Sequence, residues 1–91
     1  MKYKIYFTSA FKKDAKSLAA DEKSKTIEII NRLADGEILE PKYCDHQLTG
    51  KLKAYRDCHI KPDLVLIYKI EKDVLQLSAF RIGTHSKLFG K

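Results

Sequence analysis

Two strands joined by a tight turn are predicted for the segment Tyr55-Arg56-Asp57-Cys58-His59-Ile60-Lys61-Pro62-Asp63-Leu64-Val65-Leu66-Ile67-Tyr68. Over residues 53–60 the side chains alternate between two faces of an extended chain. Residues 64–70 are the most apolar part of the sequence and form the next strand. The Lys61-Pro62-Asp63 sequence between them has the composition of a turn. The two strands are therefore predicted to be antiparallel neighbours in one sheet.

Further strands are predicted on both sides of this pair. Residues 1–8 alternate between apolar and polar side chains, which is typical of a half-buried strand. Residues 74–82 form a strand that returns after the one at 64–70. Residues 37–52 have no sustained period and contain Pro41 and Gly50, so we interpret them as a loop with at most a short strand.

Two amphipathic helices are predicted between the first strand and this loop. The first runs from Ser9, in the N-cap position, to about Ala20. The second begins at Asp21 and ends at Gly36, which occupies the position of a C-terminal glycine. Its predicted apolar stripe consists of Ile27, Ile30, Leu33 and Ala34. The element order β-α-α-β-β-β predicts an α+β fold, with an antiparallel sheet and two helices packed on one face, forming one domain over residues 1–91.

The chain is short and basic. Its 91 residues carry a formal net charge of +6, and 44% of them are hydrophobic. The charge indicates either a polyanionic partner, such as nucleic acid or an acidic protein, or simply a well-solvated basic surface. Two cysteines do not make a disulfide framework. No apolar run approaches the ~20 residues of a membrane helix, so we expect a reduced, cytoplasmic protein with no membrane contact.

Several polar residues are predicted to meet at one edge of the sheet. Asp63 lies across the tight turn from His59, and the strand that ends at Arg81 runs antiparallel to residues 64–70. His85 follows that strand, so the topology brings it close to Asp63 and His59. His46, at the edge of the same predicted sheet region, is expected to join them.

This set of side chains suits the cleavage of RNA without a metal. A base removes the proton of the ribose 2′-hydroxyl, an acid protonates the leaving 5′-oxygen, and a cation stabilises the charge on phosphorus. Because histidine has an ordinary pKa of about 6.5, one imidazole can act in its neutral form and another in its protonated form. Each histidine alone is more often incidental, so the hypothesis depends on their joint placement.

Zinc binding is the alternative use of these residue types. Cys44, His46, Cys58 and His59 are all suitable zinc ligands. However, Cys58 and His59 are adjacent in a strand and point to opposite faces, which disfavours a single tetrahedral site. We therefore predict no metal and no cofactor, with Cys58 as a small core residue.

Two aromatic residues are candidates for contacts with RNA bases. Phe89, near the C-terminus, could stack on a base of single-stranded RNA, or it could pin the tail to the core together with Leu88. Tyr55 lies on the same predicted face as His59 and is a second candidate for stacking.

Three blocks of the sequence resemble the YafQ-type toxins of the RelE/ParE superfamily. The blocks are residues 45–50 (Asp-His-Gln-Leu-Thr-Gly), residues 56–63 followed by Leu66-Ile67-Tyr68, and residues 81–89 (Arg-Ile-Gly-Thr-His-Ser-Lys-Leu-Phe). They cover roughly the second half of the chain, and the strand-helix-helix beginning fits a RelE-like fold. The resemblance is specific because the blocks occur in the same order.

The resemblance implies the toxin of a type II toxin-antitoxin pair, an mRNA endoribonuclease that acts on ribosomes and is neutralised by a cognate antitoxin. Carried over position by position, the acid/base set would be His46, His59, Asp63 and His85. Arg81 would hold the scissile phosphate, and Phe89 would help to place the mRNA. The partners implied are mRNA, the ribosome and an acidic antitoxin. The competing hypothesis is a non-catalytic module of the same fold that inhibits gyrase or binds RNA without cutting it.

Overall fold

The computed structural model describes residues 1–90, which form a mixed α+β fold. The helices are α1 (Ser9–Ala15), α2 (Ala20–Ala34) and α3 (His85–Phe89), and two short 3-10 turns cover Pro41–Tyr43 and Gly50–Leu52. The strands are β1 (Lys4–Phe7), β2 (His46–Gln47), β3 (Arg56–Lys61), β4 (Leu64–Glu71) and β5 (Gln76–Gly83). No helix in this part of the chain is long and apolar enough to cross a membrane.

The five strands form one sheet in the order β1-β5-β4-β3-β2. Strands β2, β3, β4 and β5 pair antiparallel with their neighbours. The turn between β3 and β4 lies at Lys61-Pro62-Asp63, as predicted. Strand β1 differs, because it pairs parallel to β5 at the edge of the sheet. Parallel pairing requires a long crossover. Helices α1 and α2 begin this crossover by carrying the chain from β1 at one edge of the sheet to β2 at the opposite edge.

The core lies between one face of the sheet and the helices. Helix α2 buries Ile29, Ile30 and Leu33 there, and β4 contributes Leu66 and Tyr68. Burying each aliphatic side chain stabilises the fold by about 1.5–3 kcal/mol.

The predicted apolar stripe of α2 is partly wrong. Ile27 is 43% exposed, whereas Ile29 is fully buried. The helix is rotated so that Ile29, Ile30 and Leu33 face the sheet, and Ile27 lies at the margin of that face.

The helices also begin and end at positions that differ from the prediction. Thr8, not Ser9, caps α1, because its hydroxyl accepts a hydrogen bond from the Phe11 N–H at 3.0 Å. Helix α1 ends at Ala15 rather than near Ala20. Helix α2 starts after Ala19, whose N–H donates to Glu22 Oε1 at 2.9 Å. A carboxylate three residues into a helix can satisfy this N–H in place of a capping side chain.

Candidate active site

The sheet face opposite the helices carries most of the predicted site residues. Strand β3 alternates, so that Cys58 and Ile60 enter the core while Asp57 and His59 face the other way. In the register, Asp57 is the partner of His46 on β2, and cross-strand partners share a face. Because this side of the sheet carries candidate catalytic residues, we call it the catalytic face.

The same register extends along the catalytic face to β5. Ile67 on β4 is paired with Asp57 on one side and with Arg81 on the other. One row across the sheet therefore contains His46, Asp57, Ile67 and Arg81. The next row pairs His59 with Val65 and Gly83.

Asp57 is the buried carboxylate of this face. It is only 3% exposed, and its Oδ1 lies 3.2 Å from Nδ1 of His46. Burial raises the pKa of Asp57, and the charges of His46, His59 and His85 offset this only in part. All three histidines therefore act on the same carboxylate. The contact with His46 is electrostatic, because no aligned hydrogen bond reaches Oδ1.

His46 has a defined orientation at the exposed edge of the sheet. Its Nδ1 lies 2.7 Å from the carbonyl oxygen of Cys44, which can only accept a hydrogen bond. Nδ1 is thus the donor, and in the neutral ring the lone pair is on Nε2. Because 56% of the side chain is exposed, this nitrogen is open to a substrate.

Helix α3 carries His85 and Phe89 on adjacent turns. Their rings are in contact, with centroids 4.6 Å apart and planes tilted by 40°. The Thr84 hydroxyl caps the helix by accepting from the Lys87 N–H at 3.1 Å. Gly83 allows α3 to pack closely on β5, since an added Cβ there would lie only 3.2 Å from Lys87 Cδ. No helix is predicted at these residues from the sequence.

Arg81 is held by a carboxylate that sequence reasoning missed. Asp14 on α1 is 5% exposed and accepts from Arg81 Nε at 2.6 Å and Nη2 at 3.1 Å. It also accepts from the Ile82 N–H at 3.2 Å, and Lys87 Nζ lies 3.5 Å away. Burial alone would raise the pKa of Asp14, but these hydrogen bonds and charges lower it below its ordinary value. The guanidinium therefore has a fixed orientation.

The other two candidates, Asp63 and Tyr55, lie at separate places. Asp63 is exposed in the turn before β4 and lines a cleft of about 280 Å³ together with Thr84 and Lys87. The ring of Tyr55 stacks on Phe80 with centroids 4.7 Å apart, and Lys69 Nζ lies 5.6 Å from its centroid. One face of Tyr55 is therefore covered by protein.

A second cleft adjoins His59 at the free edge of β3. It has a volume of about 500 Å³, and its charged lining consists of Lys25, Lys42 and Lys61. Cys44 also lines this cleft and is exposed, whereas Cys58 is buried in the core as predicted, where burial raises the pKa of its thiol. Within residues 1–90, no three His, Cys, Asp or Glu side chains are grouped so that they could hold a metal ion.

The chain is similar to known proteins over nearly its whole length. Residues 3–90 match the family model described as "Bacterial toxin of type II toxin-antitoxin system, YafQ". The mRNA interferase toxin YafQ of Escherichia coli (strain B / BL21-DE3) is 36% identical over 89 residues, which cover 94% of this chain and 95% of the relative.

Solved structures agree with this match. The crystal structure of YafQ from E. coli strain BL21(DE3) has a TM-score of 0.85 and 34% identity, and the match covers 97% of this chain and 99% of that one. The toxin in the E. coli DinJ-YafQ toxin-antitoxin complex has a TM-score of 0.84 and 34% identity, with coverages of 99% and 100%. The similarity thus includes all the strands and helices described above.

Proposed function

The chain belongs to the YafQ family of bacterial toxins of type II toxin-antitoxin systems, and we propose that it cleaves ribosome-bound mRNA by metal-independent acid/base chemistry. It is an mRNA interferase, which is an endoribonuclease, and its fold is RelE-like; the sequence blocks predicted both. The observation that carries the proposed chemistry is the burial of Asp57 beside His46, whose Nδ1 lies 3.2 Å from its Oδ1, on the face of the sheet that also carries His59.

His46 is the proposed general base. Its Nε2 lone pair removes the proton of the ribose 2′-hydroxyl, and the oxygen then attacks the adjacent phosphorus. The ring gains a positive charge, and Asp57 Oδ1 lies 3.2 Å from its Nδ1, where it stabilises that charge. His59 lies on the same face two residues along β3 from Asp57, so it is placed to share the role of base.

His85 is the proposed general acid. Its protonated ring gives a proton to the 5′-oxygen as the bond to phosphorus breaks, which leaves a 2′,3′-cyclic phosphate and a 5′-hydroxyl. One proton is taken and one is returned, so the reaction needs no cofactor. Asp63 completes the proposed acid/base set from the turn before β4. Its position is supported by the cleft that it shares with Thr84, the residue before His85.

The remaining proposed contacts position the RNA. Arg81 holds the scissile phosphate with the N–H groups that Asp14 leaves free. Phe89 stacks on a base with the ring face turned away from His85. Tyr55, already stacked on Phe80, offers its ring edge and hydroxyl to the substrate.

The proposed partners follow from charge and family. The lysines of the cleft beside His59 and the net charge of +6 favour a polyanion, which we take to be mRNA on the ribosome in the cytoplasm. Because the E. coli relative has been solved in a complex named DinJ-YafQ, we also propose a cognate antitoxin, acidic where it meets this basic surface.

Expression of the protein in cells tests the proposed chemistry. We expect wild type to arrest growth and to give new mRNA 5′-ends in primer extension, and His85→Ala to do neither. Val74→Ala is the control, because Val74 is 62% exposed in the turn between β4 and β5 and lines neither cleft described above. If His85→Ala cleaved as well as wild type, the assigned acid would be wrong. Growth arrest by wild type without new transcript ends would favour the non-catalytic module.

A further inference from the structure

A network behind the catalytic face holds the segment that carries His46. Asp45 points to the helix side of the sheet, opposite to His46. Its Oδ1 accepts a hydrogen bond from the Tyr68 hydroxyl at 2.5 Å, and Arg56 Nε lies 3.3 Å from the same oxygen. Tyr68 is 1% exposed, so its hydroxyl is a buried group with a specific partner.

Strand β2 needs such an anchor because it is very short. It consists of His46 and Gln47 alone and pairs only with Asp57 and Arg56 of β3. After this pair the segment is also held by hydrogen bonds from the Gln47 amide to Lys53 O and from the Leu48 N–H to Tyr55 O. Before it, on the side of Asp45, two residues of edge pairing leave the chain free to fray. The bond to Tyr68 ties it to β4, which lies beyond β3 in the sheet and has most of its residues buried.

The same segment sets the orientation of the imidazole. Cys44 adopts the left-handed conformation, with φ of 51°, and its carbonyl oxygen accepts from His46 Nδ1 at 2.7 Å. A non-glycine residue in this region is held there by its surroundings. Asp45, between Cys44 and His46, is the residue of this segment that is bonded to the core.

We propose that Asp45, through its hydrogen bond to Tyr68, is a positioning residue that holds His46 in the Nδ1–H tautomer with Nε2 directed at the substrate. The proposal rests on the function proposed above and adds a residue on the opposite face of the sheet. Movement of a reacting group by about 1 Å can cost about a hundredfold in rate. A loosened β2 strand allows movement on this scale.

Tyr68→Phe is the sharpest test, because it removes one hydroxyl and changes no charge. We expect the single-turnover rate of cleavage of ribosome-bound mRNA to fall by about tenfold to a hundredfold, with mRNA affinity unchanged. Tyr3→Phe is the matched control, since Tyr3 is also a buried tyrosine, at 4% exposure, but lies outside the network. It should cleave at the wild-type rate.

Nitrogen-15 NMR of the histidine rings gives a readout that does not depend on activity. Wild type should show His46 as the Nδ1–H tautomer, and Tyr68→Phe should show an average of both tautomers. A merely structural hydroxyl would lower the melting temperature and leave the tautomer alone.

Position 45 gives a second pair of variants if Tyr68→Phe does not fold. Asp45→Ala should reproduce the loss in rate, and Asp45→Asn should recover much of it, because the amide oxygen can still accept from Tyr68. An unchanged rate in Tyr68→Phe or Asp45→Ala, or a slower rate with the His46 tautomer intact, would overturn the proposal. Wild type that does not cleave would instead refute the proposed function itself.

Discussion

Replacing Asp57 by asparagine should make the protein more stable and less active. The buried carboxylate has an oxygen with no hydrogen-bond partner, and burial raises its pKa above the ordinary 3.8. The folded state therefore binds a proton at Asp57 more tightly than the unfolded state does. It follows that the ionised side chain destabilises the fold at neutral pH, and that this penalty disappears as the pH falls through the raised pKa.

The expected gain follows from the cost of such a group. A buried, unsatisfied polar group costs about 1–3 kcal/mol and a charged one costs more, so the neutral amide of asparagine removes the part of the cost that is due to the charge. The three histidines offset part of this cost. We therefore expect Asp57→Asn to raise the free energy of unfolding by about 1 kcal/mol, or the melting temperature by roughly 4–8 °C for a domain of this size. The difference from wild type should be largest near pH 7 and should shrink as the pH approaches 3.8.

The expected loss of activity follows from the 3.2 Å contact with His46. At that distance, a charge pair is worth about 1.3 kcal/mol in water and about 5 kcal/mol at an effective dielectric constant of 20. The exposed histidine places the pair nearer the lower value, so cleavage should slow by about tenfold to a hundredfold. Thermal melts at two pH values and single-turnover cleavage measure both effects. A variant less stable than wild type at pH 7, or one equally active, would refute this account of Asp57.

Three further substitutions test the supports of the site. Thr8→Ala should lower the unfolding free energy by about 1 kcal/mol in urea titrations through loss of the α1 cap, while cleavage persists. Gly83→Ala should slow cleavage more than it lowers the melting temperature, because the new Cβ would lie 3.2 Å from Lys87 Cδ and crowd the side chain of α3 that packs there; wild-type activity would contradict this. Asp14 has a lowered pKa, so its ionised form stabilises the fold above about pH 3.8 and this contribution is lost as the pH falls further. Asp14→Asn should therefore be less stable than wild type at pH 7 but approach it in acid titrations, and equal stability at pH 7 would show that the pair with Arg81 contributes nothing.

The sequence was sufficient for the pattern of strands but not for the edges of the sheet. Alternation at every second residue over 53–60 identified β3, and the continuous apolar run at 64–70 identified β4. The parallel pairing of β1 with β5 joins segments more than seventy positions apart, and nothing local encodes it. Strand β2 is too short for any period to appear.

The residue types of the candidate site were predicted from the sequence, but its central carboxylate, Asp57, was not. Alternation already placed Asp57 on the face of His59, yet the turn made Asp63 the more obvious choice of carboxylate for the acid/base set. The importance of Asp57 follows from its pairing with His46 on the edge strand β2, which the sequence pattern does not predict. The ion pair between Asp14 and Arg81 spans 67 positions, so it too was beyond the reach of local patterns.

The chemistry of the cut RNA ends tests the central claim most directly. Purified protein should cleave ribosome-bound mRNA in the presence of a metal chelator that spares the ribosome. The products should carry a 2′,3′-cyclic phosphate and a 5′-hydroxyl, and their formation should slow sharply in both His46→Ala and His85→Ala. Products with a 3′-hydroxyl and a 5′-phosphate, or cleavage that leaves both variants as fast as wild type, would contradict acid/base catalysis by the histidines around Asp57.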